Sequence, residues 1–264
     1  MKKIIFAILA GLLVLSAFAQ NAPYTIEVGG STSVTPLMEL FADAYSKTKP
    51  NIKVNINPTG SGDGINNAGV LYQIGMTSRV LTPAEKGKGL KEQTIAIDGI
   101  AIIVNKNNPV KSLSIEQIRD IFSGAITDWS QVTNGAKRGK IAVVSREAGS
   151  GTRGAFEEII GLKTLVAGAT ESTSTGAIKA GIAQNPDAIG YISLGSVDKT
   201  IKAVDVGGVA ATNRNVVSGT YKIARPFILL YNEKNLHPES KAFLDWMKTR
   251  PAQNIVATSW IPAK

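Results

Sequence analysis

Three stretches of the chain repeat one order of positions: a short apolar run of β character, a loop of glycine and hydroxyl residues, then a helix-like segment. The first runs from Tyr24 to Val28, through Gly29-Gly30-Ser31-Thr32-Ser33, into Pro36 to Tyr45. In the second, Ile52, Val54 and Ile56 alternate strictly with polar residues, ahead of Thr59-Gly60-Ser61-Gly62-Asp63-Gly64. The third passes from Ile141 to Val144, through Arg146-Glu147-Ala148-Gly149-Ser150-Gly151-Thr152, into a helix that reaches Ile160. Repeated strand–loop–helix units predict an α/β protein with largely parallel sheets.

Two longer apolar runs stand apart, Thr94 to Asn105 and Tyr221 to Asn232. Each exceeds an ordinary strand and is interrupted midway, by Asp98-Gly99 in one and Arg225-Pro226 in the other. Proline removes a ladder donor, which speaks against an unbroken central strand there. The pair predicts two passages of the chain between two lobes. Residues 20–98 with 225–264 form a discontinuous first lobe, and residues 99–224 an inserted second one. Between these runs, Ser114 caps a short helix carrying Ile115, Ile118, Ile121 and Phe122. Gly176 to Gln184 reads as another helix and Ile189 to Ser193 as a strand. Pro238 opens a final helix whose Phe243, Trp246 and Met247 belong to the core.

The loops carry the candidate chemistry. Each sits where a strand ends and a helix begins, so backbone N–H groups without helical partners and the positive end of the helix dipole face the loop. That arrangement suits an oxyanion. Glycine lets the main chain come close to such a guest, and Ser or Thr adds neutral donors. In open α/β sheets these loops gather on one edge, and two facing lobes would bring them to one cleft. Arg146 follows its strand directly and offers a two-pronged donor, unless Glu147 or solvent takes it. Arg153 is open to the same two readings.

Composition sets the compartment and narrows the rivals. Lys2 and Lys3 precede an apolar run from Ile4 to Leu15, shorter than the roughly 20 residues that span a bilayer. Ala17-Phe18-Ala19 follows, so residues 1–19 read as a signal peptide cleaved before Gln20, and the mature chain as exported. Cysteine is absent. There are then no disulfides and no lipid-anchor cysteine, which favours a protein free in a periplasm. The 29 Lys and Arg against 20 Asp and Glu favour anionic partners of any size. Few aromatics interleave with the basic residues and no groove-reading motif occurs, so nucleic acid is not expected. An enzyme acting on phosphate esters lacks its equipment. The single histidine, His237, is far in sequence from the loops, no carboxylate cluster suits paired metals, and neither GSG segment continues into a Walker A loop.

At this point a family comes into view. The chain resembles the phosphate-binding subunit of phosphate ABC importers, the PstS-type periplasmic binding proteins. GSTSVTP at Gly30 to Pro36, TGSGDG at Thr59 to Gly64 and IGMTSR at Ile74 to Arg79 are similar to the family's first three phosphate loops. REAGSGTR at Arg146 to Arg153 is similar to its most recognisable motif. Weaker echoes at Ile95 to Asn105, Ile121 to Trp129 and Ser174 to Ser193 extend the likeness over nearly the whole mature chain. The resemblance implies a two-lobe, type II-like fold with two crossover strands at the hinge. It also implies phosphate bound in the cleft without metal or cofactor, no enzymatic activity, and delivery to the permease and ATPase subunits of an ABC importer. A monomer is expected.

Carried over residue by residue, the phosphate contacts are Ser31, Thr32 and Ser33 in the first loop, Ser61 in the second, and Ser78 with Arg79 in the third. Arg146, Ser150, Gly151 and Thr152 supply the fourth. Longer relatives carry an aspartate in the third loop that accepts the proton of bound phosphate and so rejects sulfate; this chain has Ser78 there. Asp63 is a candidate substitute acceptor, or else it makes a local turn or cap. Asp98, at the expected hinge, is an outside candidate. Another oxyanion such as sulfate, molybdate or tungstate on the same fold stays open, because fold does not fix ligand.

Overall fold

The structure, a computed structural model, describes residues 23–263. The expected signal peptide and its cleavage point lie outside the described residues. The chain opens with β1 (Tyr24–Gly30), α1 (Thr35–Ser46), β2 (Ile52–Asn57), α2 (Ser61–Asn67), β3 (Ile74–Thr77), the one-turn α3 (Pro83–Lys86) and the long β4 (Lys91–Asn105). Next come β5 (Ser112–Leu113), α4 (Ile115–Ser123), β6 (Ala142–Arg146), α5 (Gly151–Ile160), β7 (Thr170–Ser172), α6 (Thr175–Gln184), β8 (Ala188–Ser193), β9 (Ile201–Val206) and α7 (Asn213–Val217). β10 (Ala224–Tyr231) leads back to α8 (Pro238–Trp246), α9 (Arg250–Val256) and β11 (Ile261–Pro262).

Local signals explain most boundaries. Ser114 and Gln117 close a capping box on α4, and Gly124 ends it in the left-handed region at φ 86°. Ser150 caps α5 by accepting from Arg153 N. Pro238 stands at the start of α8, where a missing N–H leaves no helical bond unmade. The strict alternation of Ile52, Val54 and Ile56 fits β2, the edge strand with one face toward the core.

The main path of strands runs β2-β1-β3-β10-β4-β8-β6-β7. β1 is parallel to β2 and β3, and β6 is parallel to β7 and β8. Between these parallel groups lie the antiparallel strands β10 and β4. The first part of β4, Lys91 to Gly99, pairs with β10, and its continuation from Ile100 to Asn105 pairs with β8 and β9. One strand therefore serves both halves of the molecule.

Burial sorts the same way. Ile26, Leu37, Phe41, Met76, Phe227 and Phe243 pack into one core. Ile102, Phe122, Trp129, Phe156, Tyr191 and Tyr221 pack into another. Side chains alternate across each strand, so Ile228 and Leu230 of β10 meet Ile65 behind the first core, while Ala101 and Ile103 of β4 meet Ile178 behind the second. No cluster mixes residues 100–223 with the rest, and this is a two-lobe α/β fold.

The interruptions expected in the two long runs resolve differently. β4 passes through Asp98-Gly99 as one unbroken strand of 15 residues. Pro226 is inside β10, opposite Ile97, with a register shift between Phe227 and Ile228. The proline is tolerated because β3 reaches only as far as Ile228, leaving β10 paired on one side at that point.

Tight backbone contact fixes the first-lobe loops. A Cβ on Gly64 would lie 2.5 Å from the Met76 carbonyl oxygen and 2.9 Å from that of Gly29, so α2 is pressed directly onto β1 and β3. Main chain cannot swing aside as a side chain would. Gly64→Ala is expected to destabilise the protein by about 2 kcal/mol, lowering the melting temperature by roughly 4–8 °C. An unchanged thermal scan would mean that the loops have slack.

Candidate functional site

The parallel strands of each lobe aim their C-terminal ends at the other lobe, and the loops that follow them meet there. After β1, the Ser33 hydroxyl shares a hydrogen bond of 2.8 Å with that of Thr152 at the start of α5 and one of 3.0 Å with that of Thr175 at the start of α6. Thr32 lies 3.3 Å from the Thr175 hydroxyl oxygen. After β3, the Ser78 hydroxyl accepts from Ser31 at 2.9 Å and is 3.3 Å from that of Ser61. Gly62 N donates across the cleft to the Gly149 carbonyl at 2.9 Å. All of these serines and threonines are buried.

At Gly151 the two lobes are in close contact. A Cβ there would stand 2.3 Å from Ser61 Oγ and 2.9 Å from Ser78 Oγ, so only glycine lets α5 begin against the opposite lobe. Beside the hydroxyl cluster runs a cleft of about 330 Å³ lined by Thr32, Pro36 and Glu39 on one side and by Ser174, Thr175 and Lys179 on the other.

Fixed donors set the direction of the hydroxyls. Ser33 N donates to Ser31 Oγ, Ser78 N to Ser61 Oγ, Thr175 N to Thr32 Oγ1 and Arg153 N to Ser150 Oγ. Each oxygen thus has one acceptor position filled, and its own proton is free to be given away. The result is a shell rich in donors. The Ser33, Ser78 and Thr175 oxygens receive no backbone donor among the described residues and can rotate to accept.

Arg146 is buried at the end of β6. Its Nε and Nη2 both reach Glu147 at 2.9 Å, and they also donate to the Ser172 and Thr173 carbonyls at 3.1 and 3.3 Å. Glu147 therefore orients the guanidinium. Nη1 makes no hydrogen bond to the protein among the described residues. A second arginine, Arg225 of β10, pairs with Asp98 of β4 at 3.1 Å, both nearly inaccessible to solvent. Burial pushes the Asp98 carboxyl above its usual range against the pull of Arg225, and burial likewise lowers Arg225, with the charge of Arg146 adding to the effect.

Ser31, Thr32, Ser33, Ser61, Ser78, Gly151 and Thr152 come together as one cluster, and Ser150 caps the helix that carries two of them. Two expected residues stand apart from this cluster. Arg79 turns away: its Nη1 and Nη2 form a two-pronged pair with Glu85 at 2.7 Å each, because the capping box on α3 holds that carboxylate within reach. Asp63 also turns away, accepting from Thr59, Asn67 and Tyr72 at 2.5, 2.6 and 2.8 Å. Burial works against ionisation of Asp63, but these bonds outweigh it and hold the carboxyl below its usual range. Its role is the local turn. Asp98 accepts from Ser193 and Gly195 as well as Arg225, so it too is occupied.

Sequence reasoning missed Thr175 and Arg225 as members of this constellation. Ser174-Thr175-Gly176 spells the same hydroxyl–glycine helix entry as the other loops. Arg225 was visible as a charge inside an apolar strand. Arg153 donates to Glu157, Glu171 and the Arg146 carbonyl, bracing the fourth loop from outside. Among the described residues no group of three His, Cys, Asp or Glu could hold a metal ion.

Comparison with known proteins fits this geometry. The family model described as "PBP superfamily domain" matches residues 16–250. A crystal structure from Clostridium perfringens, of an ABC transporter substrate-binding protein with bound phosphate, is 46% identical; it covers 91% of this chain and 100% of its own, with a TM-score of 0.89. The chain belongs to the PBP superfamily, in its PstS-type branch. An ABC-type phosphate transport receptor from Vibrio cholerae is 38% identical, with coverage of 91% and 100% and a TM-score of 0.74. The phosphate-binding protein PstS of Borreliella burgdorferi is 29% identical over 272 residues, 97% of this chain and 96% of the relative. PstS-type membership thus extends over both lobes and all four loops.

The Arg79–Glu85 pair outside the cleft has its own signature. Glu85 is held down to about 2 from 4.5, first by the Arg79 hydrogen bonds, against the cost of burial. A lowered folded-state pKa contributes stability that is complete above the unfolded value and is lost as pH falls through the folded one. Glu85→Gln is therefore expected to destabilise by about 1–2 kcal/mol at pH 7, after allowance for partial exposure. Urea denaturation should show the gap from wild type closing between about pH 4.5 and 2. A gap that persists at pH 2 would contradict this.

Proposed function

We propose that the protein captures inorganic phosphate between its two lobes and delivers it to the permease and ATPase subunits of an ABC importer. The observation that carries this reading is the meeting of hydroxyls from both lobes in one buried cluster. The names of the Clostridium, Vibrio and Borreliella proteins support the same ligand, and the first two name an ABC transporter or ABC-type transport.

In this reading Ser31, Thr32, Ser33, Ser61, Ser78, Ser150, Gly151, Thr152 and Thr175 surround the anion with hydroxyl and amide donors. Arg146 adds its free prong, with Glu147 fixing the angle. Micromolar affinity requires about 8 kcal/mol, and hydrogen bonds to charged groups contribute about 1.5–3 kcal/mol each. Several loops acting together reach that total, whereas one does not. Residues 20–98 with 225–264 and residues 99–224 swing as bodies about β4 and β10, and closure completes the shell. The protein works outside the cytoplasm after its signal peptide is removed, as a monomer. An ester hydrolase is disfavoured because the only histidine, His237, stacks on Tyr24 at 3.8 Å and caps α8, so no imidazole base touches the hydroxyls.

Asp63 and Asp98 are both engaged with other partners, and the rotatable hydroxyls of Ser33, Ser78 and Thr175 take the part of accepting a phosphate proton. Calorimetry is expected to give a phosphate dissociation constant in the micromolar range or tighter, with sulfate at least tenfold weaker. Equal or stronger sulfate binding would overturn the ligand. In the same assay Arg146→Ala should weaken phosphate binding at least tenfold with the circular dichroism spectrum unchanged. Arg79→Ala should stay within about threefold of wild type, since its guanidinium is committed to Glu85. The reverse ranking of these two variants would reassign the cationic contact.

A further inference from the structure

Arg225 is placed to act on both lobes at once. It lies on β10 opposite Asp98 on β4, the two strands that connect the lobes. Its Nη1 donates to the Ser78 carbonyl at 2.9 Å in the first lobe and to Thr152 Oγ1 at 2.8 Å in the second. Its Nη2 donates to Asp98 Oδ2, and Asp98 Oδ1 in turn accepts from Ser193 Oγ at 2.8 Å. The Phe227 ring lies 5.3 Å from the guanidinium carbon.

Two physical points separate this pair from a structural brace. A buried ion pair is weak support for stability, because desolvation of both charges offsets their attraction. Here Arg225 Nε is buried without any partner among the described residues, so bonding has not been maximised for stability. The second point concerns proton direction. Arginine only donates, so the Thr152 oxygen is committed as an acceptor toward Arg225. The Thr152 proton points away from Arg225, and Ser33 Oγ, 2.8 Å away with either oxygen able to donate, or a guest held in its place is within its reach.

We propose that Arg225, held in place by Asp98, is a positioning residue of the anion site: it fixes Thr152 as a donor and joins the Ser78 loop to the start of α5 in the closed form. Arg225 itself does not touch the anion. This inference rests on the phosphate reading and adds to it a residue on the crossover strand that sets the donor geometry. It also accounts for a buried arginine at the start of an otherwise apolar strand.

A double-mutant cycle tests it. Wild type, Arg225→Gln, Thr152→Val and the double variant are titrated with inorganic phosphate by calorimetry, and folding is followed by circular dichroism and melting temperature. Arg225→Gln should weaken binding at least tenfold. Thr152→Val should lose at least fivefold in the wild-type background but less than twofold when Arg225 is already replaced, because Arg225 acts through that hydroxyl. Should Arg225→Gln not fold, the cycle is run with Arg225→Lys, which keeps the charge but lacks the fork that reaches Asp98, Ser78 and Thr152 together. A purely structural pair would lower the melting temperature and leave the Thr152→Val loss equal in both backgrounds. That outcome, or unchanged affinity in the arginine variant, overturns the inference while wild-type binding keeps the phosphate reading intact. Wild-type protein that fails to bind phosphate removes both.

Discussion

An oxyanion taken out of water loses a hydration shell that must be replaced on every side, and this requirement governs the molecule. Unpaired burial of such charge is prohibitive, so the protein has to present donors in quantity and in fixed directions. It does so from places where donors are left over by secondary structure itself. The starts of α1, α2, α5 and α6 have N–H groups that no helical carbonyl can take, and each is lined with serine or threonine. Backbone donors to Ser31, Thr32, Ser61 and Ser150 fill one side of each oxygen, so each hydroxyl proton is turned to another partner, that of Ser31 to Ser78.

Everything else in the architecture serves that convergence. Parallel strands put the loops of each lobe on a single edge, and the antiparallel β4 and β10 turn the two edges toward each other. The separate hydrophobic cores let each lobe hold its own loops rigidly while the connection between them runs through two strands. Close main-chain approach then sets the fine geometry, at Gly64 against β1 and β3 and at Gly151 against Ser61 and Ser78. Charges near the cleft are used sparingly. Glu147 aims Arg146, Asp98 aims Arg225, and Arg79 and Arg153 are tied to carboxylates outside the cluster.

Much of this was legible in the chain. The strand–loop–helix repeat gave the α/β class, the hydroxyl–glycine loops gave the anion chemistry, and the two long apolar runs pointed to the lobes. The loops could be picked out because helix starts carry their chemistry locally, in adjacent residues, while Ser31, Ser33, Ser61, Ser78 and Thr152 were named one by one through the family resemblance. Arg79 and Asp63 show that whether a charged side chain reaches a cleft depends on what competes for it. Glu85, fixed by its own capping box, and the Thr59–Asn67–Tyr72 trio won that competition. Thr175 escaped because its partners are 142 and 143 positions away.

Sequence alone determined which segments would fold as units and which loops could receive an anion, since periodicity, capping and glycine placement act over neighbouring residues. Tertiary structure decided which charges are spent and which are free, even where the partner is near in the chain, because that depends on which way each side chain is turned in the fold. It also decided that Asp98 and Arg225, 127 positions apart, face each other across paired strands at the junction of the lobes. No spacing rule in a linear chain contains that register, and it is set only when β4 and β10 pair.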